Sequence, residues 1–251
     1  MQRLEGLMRK AMQEYEMIEP GDHVCIGVSG GKDSVALTIG LARLRAYYEK
    51  PFTLTALSLD PQFGGRQMDY SPLEELFAAY GVPYVVRRTD IGRIVFAVRK
   101  EPNPCALCAK MRRGALHDTA RELGCNKIAL GHHLDDAIET FYMNLWREGR
   151  IGCFSPKMYL SRKQLTCIRP MILAGEAQVV HAVNALGLPI VKSACPADGA
   201  TERQQMKEFV RGMVHKDPAF RQKMLGALQK SGVDGWGPVC VGRRCAASAE
   251  K

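Results

Sequence analysis

Ser29-Gly30-Gly31-Lys32-Asp33-Ser34 follows the apolar run His23-Val24-Cys25-Ile26-Gly27-Val28 and leads straight into Val35-Ala36-Leu37. That order predicts a strand, a glycine turn and a helix. Adjacent glycines let backbone amides crowd round an anion, and the positive end of the helix behind them points at the same place. Lys32 adds a mobile positive charge, while Ser29 and Ser34 add hydroxyl donors. The carboxylate of Asp33 cannot hold phosphate directly, but it suits a magnesium ion bridging to the phosphates. The stretch reads as a nucleotide site.

Two other motifs compete for these residues. The G-x-x-x-x-G-K-[ST] spacing of the Walker loop is absent, which disfavours the common nucleoside triphosphatase folds. Gly27-Val28-Ser29-Gly30-Gly31 does fit the G-x-S-x-G elbow of serine hydrolases, with Ser29 as nucleophile. An elbow, however, gives no role to Lys32 and Asp33, and no HGGG-like oxyanion stretch occurs. A purely structural turn is the remaining alternative.

Working outward, strands alternate with helices. Phe52 to Leu59 and Pro83 to Arg88 read as strands, as does Lys127 to Leu130, with Leu165 to Arg169 a further short one. Met1 to Ile18, Ser71 onward, Cys105 to Leu123, Glu176 to Leu186 and Thr201 to His215 read as helices. Leu134, Ile138, Phe141 and Leu145 predict the buried face of another. The pattern implies a doubly wound, mostly parallel α/β sheet with a helical C-terminal part, whose ligands bind at the carboxyl ends of strands. The expected organisation is an N-terminal helix (1–20), a nucleotide-binding domain (21–170), a helical C-terminal part (171–232) and a flexible tail (233–251).

Composition narrows the setting. The chain has 251 residues, 46% of them hydrophobic, enough to bury a full core. It has no transmembrane-length apolar run and no secretory signal at Met1-Gln2-Arg3-Leu4-Glu5, so a cytoplasmic protein without membrane contact is expected. Nine cysteines in a reducing compartment point to metal, cluster or catalysis rather than disulfides. The formal net charge of +9 suits a polyanionic partner such as RNA, although a solvated basic face explains charge alone. Arg112 and Arg113, then Arg147 and Arg150, are candidate RNA-phosphate contacts.

Two further constellations carry chemistry. In Gly131-His132-His133-Leu134-Asp135-Asp136, two carboxylates open a helix just after a strand. They serve either as caps favoured by the helix dipole or as magnesium ligands beside Asp33. Cys105 and Cys108, three apart at a helix start, can turn both thiols to one metal. Alone, C-x-x-C is equally zinc, a redox pair or an iron–sulfur site.

SGGKDS after a strand resembles the PP-loop of the N-type ATP pyrophosphatase superfamily. Cys105-Ala106-Leu107-Cys108 with Arg112-Arg113-Gly114-Ala115-Leu116 resembles the C-x-x-C-x-x-x-R-R-G-x-L signature of its tRNA 2-thiocytidine synthetase family. Gly131 to Asp136 resembles that family's second nucleotide motif, and Cys195 falls where its third cluster cysteine lies. The resemblance implies ATP on Ser29 to Ser34, with adenine near Leu57 to Asp60 and Gly131 and His132 nearby. It further implies magnesium on Asp33 and Asp136, and a [4Fe-4S] cluster on Cys105, Cys108 and Cys195. The implied catalytic set is Lys32, Asp33, Asp135, Asp136 and the three cysteines. The implied reaction adenylates the C2 carbonyl of a cytidine, expected in the anticodon loop of tRNA, and replaces its oxygen with sulfur. The sulfur would come from a cysteine desulfurase or sulfide, and a homodimer stays open. One departure stands out: the family's third cysteine begins a second C-x-x-C, whereas Cys195 is followed by Pro196-Ala197-Asp198-Gly199. The alternatives are a lysidine-synthetase-like ligase, a thiouridine synthetase, or a non-catalytic nucleotide- and RNA-binding module with structural zinc.

Overall fold

The computed structural model describes residues 1–99, 104–192, 194–195 and 202–237. Its centre is a six-stranded sheet of β1 (Asp22–Val28), β2 (Phe52–Asp60), β3 (Tyr84–Arg88), β4 (Lys127–Ala129), β5 (Lys157–Leu160) and β6 (Leu165–Ile168). The spatial order is β3-β2-β1-β4-β6-β5, and only β5 runs antiparallel to its neighbour. Strands β1 and β2 are near-continuous apolar runs because helices cover both faces of the sheet. The strand order reverses between β1 and β4, and both nucleotide motifs follow those two strands. The reversal opens the crevice in which a parallel sheet binds its ligands.

The helices are α1 (Gln2–Glu14), α2 (Lys32–Leu44), α3 (Ser71–Ala79), a short α4 (Ile91–Arg93) that widens through Ile94–Arg99, α5 (Pro104–Glu122), α6 (Leu134–Arg147), α7 (Glu176–Leu186), α8 (Glu202–Lys216) and α9 (Phe220–Ser231). Leu37, Leu41, Leu44 and Tyr48 are buried, as their spacing predicts. Helix α1 lies across α2 at Gly40, where a Cβ would come within 2.6 Å of the Met8 sulfur. A buried Asp22–Lys127 ion pair of 2.7 Å joins the starts of β1 and β4, and Lys127 also donates to the Met17 carbonyl.

Two expectations need correction, and one strand is added. The stripe on α6 does not extend to Leu145, which is 43% exposed; at this end the helix meets α8 through Trp146 and Phe209 instead. Strand β5 forms a hairpin with β6 that the sequence pattern did not reveal. The chain is also not a loose tail from residue 233. Val233–Gly235 form a tight turn and Trp236 is fully buried, its ring N–H donating to Cys153 Sγ (2.9 Å) and the Phe154 carbonyl (3.1 Å). Cys240, Cys245 and the Pro196–Ala200 stretch lie outside the described residues.

Candidate active site

The glycine turn has the geometry expected of an anion cradle. Gly30 takes φ +86°, open to glycine at little cost. Ser34 Oγ donates to the Gly31 carbonyl (2.9 Å) and accepts from the Ser29 amide (3.1 Å), which stitches the loop closed. The second motif is laid directly on the first: a Cβ at Gly131 would sit 3.1 Å from the Ser34 nitrogen.

Asp33 and its neighbours form the charged centre. Asp33 Oδ2 accepts from Lys32 Nζ at 3.0 Å, while its Oδ1 is buried without a hydrogen-bond partner. His133 Nδ1 accepts from the Asp136 amide (3.3 Å), which puts the ring hydrogen of a neutral imidazole on Nε2, 3.7 Å from Asp33 Oδ1. The His133 amide in turn donates to Asp136 Oδ2 at 2.9 Å, so Asp136 closes a reciprocal cap on α6.

Asp135, one residue earlier, points elsewhere because adjacent helical side chains diverge by about 100°. Its Oδ2 accepts from the Glu176 amide at the start of α7 (2.7 Å), and its Oδ1 accepts from Arg221 Nε (2.6 Å). The structure thus employs Asp135 in fixing α7, apart from the Asp33 pair. His132 turns toward Arg169, whose Nε donates to its Nδ1 at 3.3 Å, and toward the Phe154 ring, 4.8 Å between centroids. Asp60 is buried and spends its carboxylate on the amides of Gln62 and Met68, while its carbonyl accepts from the amide and hydroxyl of Thr89.

Beside the turn lies a cleft of about 170 Å³ lined by Gly27, Ser29, Leu57, Leu59, Leu116 and Leu130, with Arg112 and Arg113 at its wall. Its lining is chiefly aliphatic, which suits an apolar ring such as a purine. Both arginines, expected as RNA contacts, border this cleft, Arg112 half-buried and Arg113 exposed. Arg147 and Arg150 lie exposed at the far end of α6, whose 14 residues span roughly 20 Å. Trp146 beside them is 70% exposed, over an apolar recess with Met143, Met206 and Phe209.

The three cysteines form a second corner. Cys108 is buried against Phe63, Ile91 and Val95, and Cys195 packs on the same cluster. Burial pushes the Cys108 thiol up, the Arg112 charge draws it down, and Cys195 and Cys105 are near enough to raise it further. Cys105 is exposed, and none of the described cysteines is in a disulfide. Among the described residues no three His, Cys, Asp or Glu side chains converge on the spacing of a single metal ion. The corners touch through the segment before Cys195: the Val191 amide donates to the Gly30 carbonyl at 3.0 Å, and a Cβ on Gly30 would lie 2.7 Å from the Val191 carbonyl oxygen.

Sequence reasoning missed Glu176 and Arg169. Glu176 Oε1 lies 3.2 Å from Lys32 Nζ and 2.6 Å from Lys207 Nζ, with Arg211 3.7 Å from Oε2. Burial alone would raise its pKa; the Lys207 hydrogen bond and the Lys32 charge outweigh that and hold it at about 2.

A glycine turn at a sheet's switch point, roofed by an acidic second motif, defines an α/β domain of the PP-loop class. The PP-loop domain family model matches residues 3–213. The tRNA-cytidine(32) 2-sulfurtransferase of Syntrophotalea carbinolica is 38% identical over 229 residues, 90% of this chain and 88% of that protein. That of Pelobacter propionicus is 36% identical over 90% of this chain and 84% of its own. The chain belongs to the tRNA-cytidine 2-sulfurtransferase family of PP-loop proteins. In fold it is similar to the U34-tRNA thiolase NcsA from Methanococcus maripaludis, solved with its [4Fe-4S] cluster. The TM-score is 0.75 at 21% identity, over 92% of this chain and 78% of that one. No helix of the described residues is long and apolar enough to cross a membrane.

Proposed function

We propose that the protein is an ATP-dependent tRNA sulfurtransferase that converts a cytidine to 2-thiocytidine. The observation that carries this reading is the junction at Gly30 and Val191, which sets a nucleotide turn against the segment bearing Cys195. A nucleotide site alone would suit many PP-loop proteins; a cysteine-bearing segment packed against it, with Cys108 and Cys195 on one apolar cluster, suits sulfur delivery.

Adenylation solves a chemical problem, because a carbonyl oxygen is a poor leaving group and an AMP ester a good one. The cytidine C2 oxygen attacks the α-phosphorus and expels pyrophosphate. Lys32, the loop amides and the start of α2 offset the charge that builds on the phosphates. The orphaned Oδ1 of Asp33 fits a hard cation, and Asp33, with Asp136 as second candidate, would hold magnesium. Soft donors at Cys105, Cys108 and Cys195 would hold an iron–sulfur group; bound there, it would furnish sulfide-level sulfur for C2, whose C–O bond breaks as AMP leaves. Burial holds the Cys108 thiol raised; Arg112, between the cleft and that thiol, opposes this in part, and a bound metal would supply the remaining pull to thiolate. The RNA would track Arg147 and Arg150, with Trp146 as a stacking surface for an unpaired base. The sulfur donor and any homodimer belong to the same reading as partners still to be found.

The test is mass spectrometry of tRNA nucleosides with and without the gene. Loss of 2-thiocytidine, restored by wild type and not by Cys195→Ala, is the expected result. Loss of a different thionucleoside would move the target, and an unchanged profile would remove tRNA thiolation altogether.

A further inference from the structure

Lys32, the one cation of the glycine turn, is held between two carboxylates, 3.0 Å from Asp33 Oδ2 and 3.2 Å from Glu176 Oε1. Its second partner is built into place. Glu176 opens α7, where the helix dipole favours a carboxylate, and its amide is pinned by Asp135, itself anchored by Arg221. Gly175 leaves room for that approach, since a Cβ there would stand 3.3 Å from Asp135 Oδ2. Glu176 is also shared. Lys207 and Arg211, one turn apart on α8, take the same carboxylate at 2.6 and 3.7 Å. Helix α8 is the element that follows the Cys195 segment.

We infer that Glu176 is a displaceable counter-ion, a positioning residue that holds Lys32 over the turn until a phosphate chain takes its place. The inference rests on the ATP-using reading above and deepens it. Without nucleotide, Lys32 divides its charge between Asp33 and Glu176. An arriving polyphosphate competes for the same ammonium, and the contact to Glu176 is given up. Glu176 then turns wholly to Lys207 and Arg211, so filling the phosphate site tightens α7 on α8. Asp135 takes part by fixing where α7 starts, which gives that buried carboxylate a role without contact to the reacting atoms.

The exchange predicts opposite signs for neighbouring substitutions. Glu176→Gln keeps the shape and removes the competitor, so ATP binds more tightly. Both side chains are partly exposed, which screens the pair and keeps the gain to about three- to ten-fold. Lys207→Ala leaves Glu176 to Lys32 and the more distant Arg211, so its hold on Lys32 strengthens and ATP binds more weakly, by about two- to five-fold. In the Glu176→Gln background the same Lys207→Ala change has no effect, because the carboxylate through which it acts is gone. AMP, without the β- and γ-phosphates, responds to none of these substitutions.

The experiment is calorimetric titration of the full chain with magnesium–ATP and with AMP, in the absence of RNA, alongside unfolding midpoints. Tighter ATP binding by Glu176→Gln, weaker binding by Lys207→Ala and no change for AMP is the expected result. A folded Glu176→Gln protein with unchanged or weaker ATP affinity overturns the exchange, as does an equal gain for AMP. If Glu176→Gln fails to fold, Lys207→Ala decides alone: unchanged or tighter ATP binding overturns it. A wild-type chain that binds no ATP overturns the functional reading and the exchange together, whereas normal binding with unresponsive variants overturns the exchange only.

Discussion

Between Val28 and Asp136 the nucleotide corner is assembled from two strand–turn–helix units laid side by side, each contiguous in sequence. The cysteine corner instead joins Cys105 and Cys108 on one helix to Cys195, which arrives from far along the chain on an irregular segment. The first is defined by backbone: a left-handed glycine, helix amides and a reciprocal cap. The second is defined by side chains against a small apolar cluster, with little regular structure behind Cys195. Chemistry follows construction. A phosphate chain needs fixed dipoles that cost nothing to reorganise, whereas thiol ligands gain much of their order from the group they bind.

The most severe way to break the comparison is to attack the point where the corners meet. Gly30→Ala puts a Cβ against the Val191 carbonyl and forces a left-handed alanine, which alone costs about 1–2 kcal/mol. Turnover should fall by at least ~100-fold with ATP affinity falling alongside. Wild-type ATP binding by this variant would show that the turn and the Val191 segment can part without loss. Cys108→Ser should separate the corners instead. Its thiolation should fall by about 100-fold and its bound iron should be lost, while ATP affinity stays within about two-fold of wild type. A parallel fall in ATP affinity would mean that the cysteine cluster shapes the nucleotide cleft through Arg112.

This contrast also explains what could be read in advance. The turn, its flanking strand and helix, and the β4–α6 motif were legible because each is a local pattern with a local cause. Cys105 and Cys108 were legible as a pair for the same reason, but their meeting with Cys195 rested on family resemblance. Asp135 and Asp136 look equivalent as letters, yet 100° of helical rotation sends one to α7 and the other to His133. Glu176 sits at an ordinary helix start, and only the packing of α7 beside α2 carries it to Lys32. That Arg112 and Arg113 also border the cleft beside the turn was not legible, because nothing in a helical sequence tells which face a neighbouring strand end will occupy. The burial of Trp236 is not legible because a single aromatic among glycines has no periodicity to reveal it.

A smaller effect tests whether the nucleotide corner is braced from outside. Trp236 reaches the Cys153–Phe154 segment, whose Phe154 ring carries His132 and lies under Arg169. Trp236→Phe keeps most of the bulk and removes the N–H, at a cost of about 1 kcal/mol. For a chain of this size that lowers Tm by about 2–4 °C. An unchanged Tm with weakened ATP binding would reassign the C-terminal turn from general stability to support of the second motif.

The smallest expected effect concerns acid. Glu176 is held at about 2, well below the ordinary carboxylate value of 4.5, by Lys207 and Lys32 against the opposing pull of burial. A carboxyl whose folded pKa is depressed stabilises the fold fully above its unfolded pKa, and that contribution fades as pH falls through the folded one. The unfolding free energy of wild type minus that of Glu176→Gln should therefore be level from neutrality to about pH 4.5 and close toward about pH 2. Its size is modest because the side chains of Glu176 and Lys32 are 17% and 28% exposed, and salt should shrink it. A difference that widened on acidification would mean that Glu176 is held protonated in the fold, and would detach it from Lys32. Saturating ATP sharpens the comparison further: with phosphate on Lys32, the remaining acid-sensitive stability belongs to Lys207 and Arg211, so the profile should keep its shape and lose part of its height.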